Sequence, residues 1–179
     1  MFTLVRTTAP VEAPIALSEA KAQIRVDHNE EDVLIQHYID AATSLLDGPA
    51  GLLGRCLVTQ SWQMTVDVLG GPVHLPFPDT VIDEAKFADG DGENMPYRLE
   101  MCGQRPVLVP LQGRGRSTVI SFTSGYGAPQ DVPATLRQAM LLLIAHWYDN
   151  REAVTIGAAG TALPMAVDAL IAPSRLQWI

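Results

Sequence analysis

The sequence predicts an α+β protein, a small helical core carrying an all-β insertion. Three observations predict it. Apolar residues recur at helical intervals in "DHNEEDVLIQHYIDAATSLLDG" and again in "ATLRQAMLLLIAHWYDN". Between them the texture changes to short alternating runs rich in β-branched and aromatic residues. Gly, Pro and Asp punctuate those runs at turn spacing. The expected division is therefore a helical core from residues 1–56 and 126–179, with an N-terminal arm and a C-terminal tail, and a β-rich insertion at 57–125.

Taken in order, residues 1–17 carry Pro10 and Pro14 and read as an extended arm. In "LSEAKAQIRV", Ser18 is a suitable N-cap and Glu19 stands in the first turn, where the helix dipole favours an acid. A longer helix follows, with Asp27 and Glu30 at capping-box spacing. Leu34, Tyr38, Ala41 and Leu45 repeat along it, joined by Ile35, Ile39 and Leu46, until Gly48 and Pro49 stop it. The stretch 57–125 reads as five to six strands. Within it, "ADGDGEN" is a turn in which Gly90 and Gly92 supply positive φ. After "GAPQDVP", where Asp131 can cap and Pro133 suits a first turn, Leu136, Met140, Leu143 and Trp147 follow one helix face. Leu141, Leu142 and Ile144 widen that face until the helix is apolar almost all round, the pattern of a buried helix. Pro164 opens a short helix with Val167, Leu170 and Ile171 on one side, and Pro173 ends it. The tail "SRLQWI" is apolar.

Bulk properties narrow the function. The net charge is −8, and residues 18–47 hold seven acids against two bases. There is no basic stripe of the kind that grips phosphates, so tight nucleic-acid binding is not expected. No apolar run reaches membrane-spanning length, and the N-terminus shows no signal-peptide pattern; synthesis in the bacterial cytoplasm is expected. Cys56 and Cys102 form no CxxC and are expected as free thiols.

Catalytic and metal motifs were sought by spacing. His28, His37, His74 and His146 fall in four separate elements, without HxxxH or HExxH. Asp89, Asp91, Glu93 and Glu100 mimic the offsets of a calcium loop. The sixth position is Asn94 instead of Gly, however, and Pro96 interrupts, so a hairpin turn is expected there. Ser124 in "TSGYG" lacks the glycine two residues earlier that a nucleophile elbow needs. "GRGRS" lacks the lysine of a phosphate loop; Arg114 and Arg116 are read as loop decoration. One dense stretch remains: His146, Trp147, Tyr148, Asp149, Asn150, Arg151 and Glu152. Periodicity reads it as the end of a core helix emerging into solvent, with Asp149, Arg151 and Glu152 as candidate subunit contacts. No catalytic residue, metal or cofactor is expected. Two other classes stay open on the residues alone. One is a small hydrolase or ligand-binding enzyme using His146, Asp149 and Arg151. The other is a β-sandwich binding module built on 57–125.

Six stretches in order resemble one family. "LSEAKAQIRVDHNEEDVLIQHYIDAATSLLDG", "GRCLVTQSWQMTVD", "VHLPFPDTVIDEAKFADGDGE", "TVISFTSGYG", "VPATLRQAMLLLIAHWYDNREAV" and "LPMAVDALIAPSR" look like the head–tail connector (adaptor) proteins of tailed phages, prophages and gene transfer agents. The resemblance spans roughly residues 17–175. It implies a structural protein of the virion neck that forms a homo-oligomeric ring, commonly of twelve copies, beneath the portal protein. Such a ring extends the channel through which DNA passes without sequence-specific binding. It also docks the next tail-side protein, a stopper or tail terminator; no membrane is involved. The resemblance further implies that the C-terminal segment engages the portal, which maps onto Arg175, Leu176, Gln177, Trp178 and Ile179. Ser174 departs from the pattern, where an aromatic is expected after "AP".

Overall fold

The computed structural model describes residues 1–89, 92–151 and 164–176. Strand β1, Phe2–Thr8, is followed by helices α1, Leu17–Ile24, and α2, Asp32–Leu46. Six strands come next: β2 Gln60–Val66, β3 Val73–His74, β4 Thr80–Phe87, β5 Tyr97–Cys102, β6 Arg105–Pro110 and β7 Thr118–Ser124. Helices α3, Ala134–Asp149, and α4, Met165–Ile171, complete the described elements. The α+β expectation holds.

Helix α2 buries Ile35, Ile39, Ala42 and Leu46, while Tyr38 and Leu45 flank that stripe. Its residues were read correctly as helical, but its start was placed too early. The helix begins at Asp32 with Glu31 as N-cap, so Asp27 caps nothing and the capping-box reading was wrong. Ser18 is not a cap either. Helix α1 begins after Ala16, whose backbone N–H donates to the Glu19 carboxylate at 3.0 Å. Glu19 thus does the work expected of Ser18, since a carboxylate at the third helical position can reach back to the N-cap amide.

Helix α3 buries Leu136, Ala139, Met140, Leu143 and Ile144. Leu141, Leu142 and Trp147 are partly buried against the same cluster. It packs on α1, α2 and α4. Together these helices enclose one core, in which Ile15, Leu53, Leu57 and Val132 from the connecting segments are also buried. Pro133 precedes α3 as its N-cap, and Asp131 belongs to a short 3-10 turn at Pro129–Asp131.

The strands form two antiparallel sheets over a second core. One sheet runs β1-β2-β7-β4 and the other β3-β6-β5. Strand β2 alternates buried and half-buried residues along its length, placing Trp62, Met64 and Val66 inward. Opposite them Ile120 and Phe122 of β7 point the same way, in register Met64↔Ile120 and Trp62↔Phe122. Phe77 fills the middle, with its ring 5.2 Å from Trp62 and 6.3 Å from Phe122.

The N-terminal arm differs from its expectation. It was grouped with the helices, but β1 joins the first sheet, pairing Phe2↔Val66 through Arg6↔Trp62. The "ADGDGEN" turn does fold back on β4, since Phe87 N–H donates to Glu93 O at 3.0 Å and Met95 N–H to Ala85 O at 2.8 Å. Gly92 has φ +75°, while Gly90 lies outside the described residues. The chain then crosses to the other sheet, so β4 and β5 are not sheet neighbours.

Candidate functional site

The dense stretch at the end of α3 is a clasp within the subunit. The Tyr148 hydroxyl donates to one Glu31 carboxylate oxygen. Arg151 Nη2 donates to the other at 2.7 Å. The Arg151 guanidinium also lies over the Tyr148 ring, 4.5 Å from its centroid. The Tyr148 hydroxyl first, then the Arg151 guanidinium, holds the Glu31 carboxyl below the ordinary carboxylate range. In return the Glu31 carboxylate pushes the Tyr148 hydroxyl up. Helical spacing explains how Tyr148 and Arg151 share a partner: three residues apart, they face the same way. The clasp ties the end of α3 to the start of α2.

Arg151 is committed to Glu31. The His146 ring Nδ1 lies 3.4 Å from the Asn150 side-chain amide, which also donates to the His146 backbone carbonyl at 2.8 Å. Asp149 is exposed. Trp147 packs on Tyr38, ring centroids 6.4 Å apart. A groove of about 290 Å³ lies elsewhere, between residues 9–14 and the Asp40–Asp47 flank of α2. Cys56 is buried, and burial first, then the nearby Asp47 carboxylate, pushes its thiol up to about 12. It is therefore protonated and a poor nucleophile at neutral pH. Cys102 is exposed. The calcium-like acids are used otherwise: Asp89 and Glu93 both pair with Arg116 at 2.9 Å, and Arg116 covers the Phe87 ring at 3.7 Å. Among the described residues no group of acids, histidines or cysteines is arranged to hold a metal. No helix among them is long and apolar enough to cross a membrane.

Two polar clusters missed by sequence reading join the helical core to the sheets. Asp47, at the end of α2, accepts the Leu57 N–H at 2.6 Å and the buried Gln60 amide at 2.9 and 3.1 Å. Gln60 in turn accepts from Arg6 of β1 at 3.3 Å. Beside it, Arg55 donates to the Tyr126 hydroxyl at 2.7 Å and to Asp79 at 3.2 Å. The "GYG" word makes this possible. Gly125 has φ +138°, and a Cβ there would lie 2.6 Å from the backbone of Val58 and Thr59. Only glycine lets the chain pass that close. The signal was in the sequence, since Tyr126 stands between two glycines, but the partner Arg55 is far away along the chain.

The tail folds onto its own subunit as far as it is described. Arg175 Nη2 pairs with Asp168 of α4 at 2.7 Å. Leu176 is 8% exposed, and its N–H donates to Leu53 O at 2.9 Å. Gln177, Trp178, Ile179 and Glu152 lie outside the described residues.

Comparisons with known proteins bear on the whole chain. The model of the phage gp6-like head-tail connector protein family matches residues 14–65. A chain in the virion of a native gene transfer agent (GTA) particle has the same fold, with TM-score 0.77 and 25% identity. That match covers 99% of this chain and 97% of the other. Over residues 14–65 the chain is similar to the gp6-like head-tail connectors, and over its whole length its fold is similar to that of the particle chain. A chain from the neck of an empty GTA particle, computed with C6 symmetry, matches this chain in fold at TM-score 0.77 and 24% identity, over 99% and 97% of the two chains. One from the neck of a native GTA particle, computed with C12 symmetry, matches at 0.74 and 22% over the same shares. None of the curated proteins compared with the chain matches it. The family match starts in the arm and ends inside β2, so it takes in α1, α2 and the Asp47–Gln60 junction.

Proposed function

We propose that this chain is a head–tail connector, a structural adaptor that forms a ring beneath the portal, continues the DNA channel and docks the tail. The observation that carries the reading is completeness. Essentially the whole chain, both cores included, superimposes on a chain of a native gene-transfer-agent virion. A module borrowed for another purpose would share one core only. The C12 symmetry in the description of one neck structure motivates a ring of twelve copies. The acidic balance of −8 suits a channel wall that lets DNA slide and does not hold it.

In this reading the apolar end of the chain is the portal contact, because apolar tails of this composition become stable by burial on a partner. Of the expected segment Arg175 to Ile179, Arg175 and Leu176 are held on their own subunit, and Gln177, Trp178 and Ile179 are the proposed contact, with Trp178 as its anchor. The exposed end of α3 at Asp149 and Arg151, with Glu152, is the proposed subunit contact. A structural role leaves no catalytic task for the His146 stretch.

The test is assembly. The purified connector is mixed with the portal and examined by mass measurement and electron microscopy. A ring seated on the portal is expected, and removal of residues 177–179 should prevent its attachment while the subunit stays folded. A chain that stays monomeric beside the portal would overturn the proposal.

A further inference from the structure

We infer that Leu176 is a positioning residue that remains on its own subunit, so that only the residues after it reach the portal. This rests on the proposal that the tail is the portal contact. It adds a division of labour within the tail.

The cradle for Leu176 is the turn that follows α2. The turn folds back on the helix end: Leu52 N–H donates to Leu45 O at 2.8 Å, and Gly48 N–H to Arg55 O at 2.9 Å. Gly51 lies so close that a Cβ there would be 2.4 Å from the Leu46 and Asp47 carbonyl oxygens. Leu53 is fully buried. This turn is therefore held from beneath by the helical core. Gly54 closes it at φ +65° and leaves room above: a Cβ on Gly54 would sit 3.3 Å from Leu176 Cβ. Leu176 occupies that room, buried, with its amide on the Leu53 carbonyl.

The segment leading to it is fixed as well. Arg175 is held by Asp168, and its amide donates to Ile171 O at 3.1 Å. The backbone thus arrives at Leu176 with a side chain and an amide already bonded within the subunit. A leucine in that state cannot also fill a pocket on the portal. It sets the point and direction from which the final residues depart. Pre-organising a short contact segment this way reduces the ordering cost of binding.

The close approach supplies its own test. Two Cβ atoms near 3.3 Å apart are close to disulfide geometry, for which about 3.5–4.5 Å is usual. Gly54→Cys and Leu176→Cys are combined in a Cys102→Ser background; Cys56 stays buried. Mild oxidation is expected to link the pair, and the linked connector should bind the portal within about twofold of the parent. Deleting residues 177–179 from the linked protein should weaken binding by at least about tenfold, a loss easily resolved in Kd. If the linked protein binds only after reduction, the inference is wrong; Gly54 sits at φ +65°, where a cysteine is strained, so a pair that does not link is decided by hydrogen exchange on the parent. If deleting 177–179 from the parent leaves binding intact, the tail assignment itself fails, and the inference falls with it. Should Gly54→Cys not fold, hydrogen exchange on the parent decides instead. The peptide containing Leu176 is expected to be equally protected with and without portal, and loss of protection on binding would overturn the inference.

Discussion

Asp47→Ala tests the junction between the two cores. The carboxylate accepts two donors, the Leu57 N–H and the Gln60 amide, and Gln60 is 2% exposed. Alanine removes both acceptors at once and leaves both donors behind. An unpaired buried donor costs about 1–3 kcal/mol. Asp47 itself borders the groove beneath the arm, so water can reach part of the site and lower the cost of one donor. The expected loss is therefore about 2–4 kcal/mol, which lowers Tm by roughly 5–12 °C in a chain of this size. Urea unfolding followed by circular dichroism gives the free energy, and a thermal scan gives Tm. Asp47→Asn keeps one acceptor oxygen and should lose only about 1 kcal/mol. In a Gln60→Leu background the effect of Asp47→Ala should shrink, because one of its two donors is gone; a coupling of about 0.5–3 kcal/mol is expected. A loss below about 0.5 kcal/mol for Asp47→Ala, the range of ordinary surface changes, would refute the claim that this carboxylate joins the cores.

Gly125→Ala places a Cβ 2.6 Å from backbone atoms at φ +138°; a loss above about 2 kcal/mol is expected, and unchanged urea stability would contradict the close approach. Leu143→Ala, at 1% exposure in α3, should lose about 2–5 kcal/mol, whereas Leu111→Ala, at 62% exposure, should stay within about 0.5 kcal/mol. Glu31 has a folded pKa below its ordinary 4.5, so its clasp stabilises above that pH and is lost as pH falls through the depressed folded value. Glu31→Gln should therefore flatten the fall of Tm on acidification, and parallel Tm profiles would show that the clasp contributes nothing.

Periodicity made the long helices and the β stretch readable, because burial on one face repeats in sequence. It failed where tertiary partners decide. Strand β1 is exposed along nearly its whole length, with only Leu4 half-buried. "FTLVRTT" therefore shows no inward stripe, and its pairing with β2 is not visible locally. The caps failed for a similar reason. Ser18 and Asp27 have the right chemistry, but Ala16 and Glu31 occupy the cap positions, because packing of the helices on one another sets where each begins. For the site, the sequence offers Arg151 as a subunit contact, and the partner it has within the subunit, Glu31, lies 120 residues away. Leu176 looked like a free apolar contact because nothing in "SRLQWI" announces a socket made by Leu53 and Gly54. The connector likeness was readable since it rests on ordered words and needs no contact map.

The pairing of distant segments also imposes an order of events on the ribosome. Strand β1 waits for β2, and β2 is flanked on its other side by β7, which ends at Ser124. The helical core needs α3, which is complete only at Asp149. A nascent chain up to the β7 strand therefore lacks α3, against which both α1 and α2 pack. Seating Leu176 in its socket waits in addition on α4, since Arg175 beside it is bonded to Asp168 and Ile171.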